Sequence, residues 1–209
     1  MKIKFSLFCV VILLAGCANR QPNYDESPFV VHQIRSLLVV PIVNHSLDVD
    51  APNYLLSTLT IPLAERGYYV FPVNTVKVML EQEGFYEPAI IHQQDSAALA
   101  ALFDADAVLY VTINRWDAQY AILSTTVTVD FSYRAVNRDG LEIWRAEKRM
   151  QYTPQNNNNS GNAFADLLAS AIQAAITKAK PDYMPLAQDA NNAVVNTIAP
   201  GPYAVEQNK

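Results

Sequence analysis

Cysteine is almost missing from this chain: its 209 residues include two, Cys9 and Cys17, too few for a disulfide framework or a thiolate-rich metal site. Histidine is scarce as well. His32, His45 and His92 stand far apart, and none has another at the short spacing of a zinc site. Six glycines leave little material for phosphate-cradling loops, and no Walker loop, Rossmann glycine pattern or Gly-x-Ser-x-Gly elbow occurs. Serines abound, but none has a histidine at a suggestive position. Positive charge is in deficit, with 15 Lys and Arg against 20 Asp and Glu, a net charge of −5. That balance argues against nucleic acid as a partner and against electrostatic adhesion to anionic lipid. No apolar run reaches the roughly 20 residues that a membrane-spanning helix needs.

What is present begins at the first residues. Lys2 and Lys4 precede an apolar run from Phe5 to Ala15, closed by Leu14-Ala15-Gly16-Cys17. Charge, a short apolar stretch and small residues, in that order, make a secretory signal. A cysteine directly after Leu-Ala-Gly resembles the bacterial lipobox, which implies cleavage before Cys17 and acylation of Cys17. Residues 1–16 are then a lipoprotein signal peptide. Its loss removes Cys9 and two lysines, moving the formal charge from −5 to −7. Cys17 becomes the only cysteine and is blocked, so no disulfide forms. Attachment to a membrane must come from several acyl chains, palmitate among them, since one chain anchors poorly. Ala18, standing where inner-membrane retention would call for Asp, points to the outer membrane and its periplasmic face. Residues 17–33 read as lipidated cysteine and polar tether, with a reach of at most roughly 55 Å over Ala18 to Gln33.

A domain follows over 34–182. Ser36 to Val43 is a continuous apolar run, suited to a buried strand, with Pro41 marking its end or an edge. Asn44 to Pro52 reads as a loop. A helix is expected from about Asn53 to Arg66, kinked or restarted at Pro62 and closed by Gly67. Tyr68 to Pro72 is a short strand, and Val76, Met79 and Leu80 give helical spacing up to Gly84. Asp95 and Ser96 can cap a helix to Phe103, and Asp106 to Asn114 is apolar enough for a central strand. From Leu123 to Ala135 the sequence alternates. Leu123, Val127, Val129, Phe131, Tyr133 and Ala135 share one face, opposite Ser124, Thr126, Thr128, Asp130, Ser132 and Arg134, so one face is buried and one wet. Asn137 to Gly140 turns the chain into an antiparallel return, Leu141 to Tyr152. Gln155 to Asn162 is a polar loop, and Phe164 to Lys180 an amphipathic helix with core spacing. After Pro181 the period fades, and 183–209 reads as a C-terminal extension. The fold class is α/β, a mixed sheet with an early parallel β-α-β unit, an antiparallel meander and a packing C-terminal helix.

Three stretches carry a resemblance: Tyr54 to Val73, with Pro62-Leu-Ala-Glu-Arg-Gly-Tyr-Tyr-Val-Phe-Pro72 its most specific part; Phe103-Asp-Ala-Asp-Ala-Val-Leu-Tyr-Val-Thr-Ile113; and the hairpin ending in Leu141-Glu-Ile-Trp144. Together they resemble a family of bacterial lipoproteins known from a neisserial surface antigen, over roughly Ser36 to Lys180. The resemblance implies a fold like the amino-terminal domain of TolB, shared with outer-membrane lipoproteins that activate peptidoglycan synthases. It also implies the company, in some genomes, of a curli-secretion-channel-like lipoprotein. It assigns no activity and no catalytic residue.

The residues themselves offer few candidates for chemistry. His45, Asp48 and Asp50 could cluster, but a solvated loop accounts for them better. Asp104 and Asp106 flank Ala105 at a helix-to-strand turn, where Asp accepts backbone hydrogen bonds. Glu81 and Glu83 at a helix end face different ways. Trp116, Tyr120 and Phe71 could line a groove, with core packing the default. Tyr68 and Tyr69 are different, because neighbours on a strand cannot both point inward. One must face out, and that one is the candidate partner contact. No catalytic residue, cofactor or metal site is expected. The expected function is a non-enzymatic accessory or adaptor in envelope assembly or export, with an activator of a peptidoglycan synthase as the alternative and an enzyme disfavoured.

Overall fold

The computed structural model describes residues 27–121, 124–152 and 183–204. Cys17, Leu123, the polar loop from Gln155 and the helix expected over Phe164 to Lys180 lie outside them. The described elements are α1 (Pro28–Val31), β1 (Ser36–Val39), β2 (Val43–Asn44), α2 (Ala51–Glu65), β3 (Tyr69–Val70), α3 (Val73–Gln82), α4 (Pro88–Ile91), α5 (Ser96–Phe103), β4 (Ala107–Ala121), β5 (Ser124–Asn137), β6 (Glu142–Tyr152) and α6 (Met184–Val195). They form one mixed sheet in the order β3-β1-β4-β5-β6, with β2 also on β4. β1 runs parallel to both β3 and β4, and β4, β5 and β6 form an antiparallel meander.

The apolar run at Ser36 is explained by burial on both faces. Leu37 and Val39 enter one core with α2 and α6, while Leu38 and Val40 enter a second with α3, α4 and α5. Pro41 divides this stretch. It lacks an N–H for the ladder, so β1 stops at Val39 and the chain rejoins β4 as β2. Pro62 does not divide α2, which runs unbroken to Glu65; Gly67, at φ 93°, then reverses the chain. Asp95 caps α5 by accepting the Ala97 N–H at 3.1 Å, as its position suggests. Asp104 closes the same helix in the left-handed region, φ 51°.

In β5 the alternating residues Val127, Val129, Phe131, Tyr133 and Ala135 are buried together in the α2–α6 core. Asp130, Ser132 and Arg134 on the opposite face are half-buried. Thr128 departs from the wet-face expectation: it is 2% exposed. It stands between Asp117 on β4 and Gln151 on β6, and Gln151 Nε2 donates to its Oγ1 at 3.4 Å. Longer neighbours cover a short side chain.

Two segments expected to be irregular are structured. Pro28–Val31, inside the supposed tether, is a turn of helix whose Phe29 packs edge-on against Tyr68 (5.5 Å) and Trp144 (6.5 Å). Met184–Val195, in the supposed extension, is a helix that buries Leu186, Ala187, Ala190, Asn191, Val194 and Val195. Its buried positions do follow helical spacing, but small alanines and an asparagine blur the pattern. Asn191 ties α6 down. Its Oδ1 accepts Tyr133 Oη at 2.7 Å, and its Nδ2 donates to Thr58 Oγ1 at 2.9 Å.

A candidate contact groove at the sheet edge

Strand alternation separates the two tyrosines of β3 and its approach. Tyr68 turns inward at 3% exposure and donates its hydroxyl to the Ala199 carbonyl at 2.6 Å. Burial pushes its phenol well above the ordinary tyrosine range, against the opposing pull of Arg66. Tyr69 turns outward, 51% exposed, with its ring edge-on to Phe71 at 5.0 Å. Tyr68 is therefore a structural anchor for the carboxy-terminal segment, and Tyr69 is the outward member of the pair.

The outer side of β3 is an edge. Tyr69 and Phe71 donate their N–H groups to Arg35 and Leu37 of the β1 segment. Val70, between them, turns its amide and carbonyl away from β1, and no described strand pairs there. Beside this edge runs an open groove of about 580 Å³, lined by Thr60, Ile61 and Ala64 of α2 and by Tyr69, Val70 and Pro72. Ile61 is 59% exposed. An exposed aromatic, an exposed aliphatic and one free pair of backbone groups suit contact with an extended segment of another protein.

A second hollow of about 300 Å³ lies at the carboxyl end of β1, between α2, α3 and α4, where open α/β sheets commonly bind ligands. Pro41, Ile42, Leu56 and Ile91 line it, with the Lys77–Glu81 ion pair (3.9 Å) at its rim. No nucleophile and base meet there.

The other chemistry-bearing residues are occupied locally. His92 Nε2 lies 2.9 Å from the Pro41 carbonyl, and burial lowers the pKa of its ring, which favours the neutral form. His32 and His45 are exposed and elsewhere, and among the described residues no three His, Cys, Asp or Glu form a group able to hold a metal. Asp48 accepts the Asp50 N–H at 2.9 Å inside its loop. Glu81 pairs with Lys77, while Glu83 caps the end of α3. Asp106 Oδ2 accepts from the N–H groups of Arg35 and Ser36 and from Ser36 Oγ, each at 3.0 Å, which staples β4 to β1. Trp116 is core: it stacks on Tyr54 (6.3 Å) and touches Phe131 and Tyr183. Phe71 is half-buried against Phe103. The side chain of Tyr120 lies outside the described residues. Sequence reasoning missed Phe29 and Asn191. A lone phenylalanine in a polar stretch and an asparagine among alanines gave no periodic signal.

The sequence profile of the GNA1162-like lipoproteins matches residues 24–202. A curated relative, lipoprotein NMB1124/NMB1162 of Neisseria meningitidis serogroup B, is 34% identical over 164 residues, 78% of this chain and 75% of its own length. The chain belongs to the GNA1162-like lipoprotein family. The crystal structure of lipoprotein GNA1162 from Neisseria meningitidis superimposes with a TM-score of 0.56 at 37% identity, covering 68% of this chain and 97% of that one. The PelC dodecamer of Paraburkholderia phytofirmans is more distant, at 15% identity and a TM-score of 0.46 over 79% of this chain and 88% of its own. Membership makes the protein a lipoprotein, held to a membrane by lipid. No helix among the described residues is long and apolar enough to cross a membrane.

Proposed function

We propose that the protein is an outer-membrane lipoprotein, acylated on Cys17 and facing the periplasm, that serves as a non-enzymatic adaptor in envelope assembly or export. The observation that supports this reading is the β3 edge. A half-exposed Tyr69 stands beside an apolar groove and a strand edge that no described strand pairs, while His92, Asp48 and Asp106 are each engaged in holding backbone in place. The partner is an envelope protein, and a curli-secretion-channel-like lipoprotein is the candidate that the family resemblance suggests.

Two experiments test this. Cys17→Ala should abolish acylation and leave an uncut precursor; a processed chain that still floats with membranes refutes the anchor. In the lipidated protein, Tyr69→Ala should weaken capture of a co-purified envelope partner with unchanged thermal unfolding, since an exposed aromatic contributes to contacts rather than to folding. Tyr68→Phe should do the reverse. Equal effects of the two on stability, with none on capture, remove the groove from consideration.

A further inference from the structure

The parallel register of Leu37 with Ala107 and the antiparallel register of Ala107 with Asn137 bring several segments to one pole of the molecule. They are α1, the start of β1, the α5–β4 turn and the β5–β6 turn. The carboxy-terminal residues join them, since Tyr203 N–H reaches the Gly67 carbonyl at 3.0 Å. This pole exposes large apolar and aromatic side chains: Val31 (61%), Tyr203 (62%) and Leu141 (53%). Among them sits a balanced set of charges. Arg138 lies 3.2 Å from Asp104 and 3.3 Å from Asp106, and Arg35 pairs with Asp106 at 3.8 Å. These groups and the rings of Tyr69 and Tyr203 line a pocket of about 330 Å³.

We infer that this pole rests on the bilayer surface, against zwitterionic phosphatidylethanolamine headgroups. The inference deepens the lipid-anchored reading above and rests on it. Chain length carries the first part of the case. Ten residues, Ala18 to Ser27, separate the anchor at Cys17 from α1 at this pole. Ten residues reach about 35 Å at most, fully extended. A domain of this length is about 40 Å across, so bringing the opposite pole to the lipid would demand a fully stretched linker wrapped around it. The anchor also makes a second contact intramolecular, so that weak interactions suffice.

Chemistry carries the second part. Exposed aliphatic side chains and two half-exposed tyrosines at one pole suit the headgroup boundary, where tyrosine is enriched. The two arginines and two aspartates of the pocket sum to zero, with Asp139 of the β5–β6 turn one further acid at this pole, within a mature chain of net charge −7 that anionic lipid would repel. Phosphate finds Arg35 and Arg138, and the ammonium finds Asp104, whose side chain is 96% exposed. The far pole is built differently: Leu47 and Val49 stand on a loop closed by Asn44, Asp48 and Asp50, with no basic side chain among residues 44–50 apart from His45.

The test uses the full, lipidated protein in phosphatidylethanolamine-rich vesicles. Acylation blocks Cys17, so Val31→Cys, Tyr203→Cys and Leu47→Cys each supply one free thiol for an environment-sensitive dye. All three positions are exposed, and the core is untouched. A headgroup-level spin-labelled lipid should quench the dye at 31 and 203 severalfold more than at 47. Equal quenching at 47 overturns the inference. So does protection at 31 that grows with protein density rather than with lipid, which would mean a second copy covers the pole. Flotation separates the two readings: a chain that fails to float refutes the anchor and this contact together, whereas a floating chain with unquenched 31 and 203 refutes only the contact.

Discussion

Asn191 shows how much one buried amide can hold. It satisfies Tyr133 Oη from the sheet and reaches Thr58 on α2, three elements joined by a side chain with no exposure. Asn191→Ala should cost about 1–3 kcal/mol, the penalty of leaving buried polar partners unpaired, measured by urea unfolding. Tyr133 and Tyr68 give the same core a pH dependence. Burial raises the pKa of both phenols above the ordinary value. An unfolded tyrosine ionises near 10, so unfolding at high pH releases protons that the folded state retains. Stability from these groups is therefore complete below pH about 10 and falls as pH rises, by about 1.4 kcal/mol per unit for each tyrosine. The double change Tyr68→Phe and Tyr133→Phe should reduce that alkaline slope in urea midpoints, leaving the share of Tyr110, whose phenol burial also raises. A slope that persists unchanged would mean other groups carry it. Residue by residue, sequence places Asp104 and Asp106 at a helix-to-strand turn, but not what they do there: Asp104 closes the helix in the left-handed region with its carboxylate on Arg138, and Asp106 accepts N–H groups 70 and 71 residues away. The role of Asn191 is not legible either, because its partners are 58 and 133 residues away along the chain.

Among the elements, β5 tests how far alternation can be trusted. Its buried face is what the period of two announces, and Val129→Asp should unfold the domain by burying an unpaired charge. On that pattern alone Thr128 faces water and a charge there would be mild, but its burial beneath Asp117 and Gln151 reverses the expectation. Thr128→Asp should cost about 1–3 kcal/mol, since a carboxylate there loses water beside Asp117. Ser132→Ala, which gives up an exposed bond from Asn114, should cost under about 1 kcal/mol. Chemical denaturation of the three variants ranks them; a mild Thr128→Asp would show that the neighbours simply move aside. Periodicity reports which side of the sheet a residue is on. Whether that side is wet depends on the length of side chains in the flanking strands.

At the scale of the molecule, the carboxy-terminal helix decides whether the fold closes. α6 lies on α2 and fills the core with Leu186, Ala187, Ala190, Val194 and Val195, and the residues after it cover Tyr68 and Gly67. A chain ended before Tyr183 should therefore lose cooperative unfolding, as seen by calorimetry, rather than shed a dispensable tail. A cooperative transition of normal enthalpy in that truncation would show that α6 is peripheral. Gly67 marks the same closure. A Cβ there would run into the backbone of Ala204, and the residue also needs its positive φ.

The amino-acid sequence alone determined the class of the protein: a lipoprotein with an α/β domain, one clean hairpin, a central apolar strand, and a pair of adjacent tyrosines of which one had to face outward. These follow from local chemistry, since charge order, periods of two and turn residues act over a few positions. Which tyrosine faced out, the seating of α1 and α6, and the burial of Thr128 were decided only by tertiary structure. Each depends on surfaces that meet from distant parts of the chain: Tyr68 is inward because Phe29 and Ala199 cover it, at separations of 39 and 131 residues. Small residues such as Ala187 and Ala190 bury little area alone and acquire their place when α2 presents a matching face.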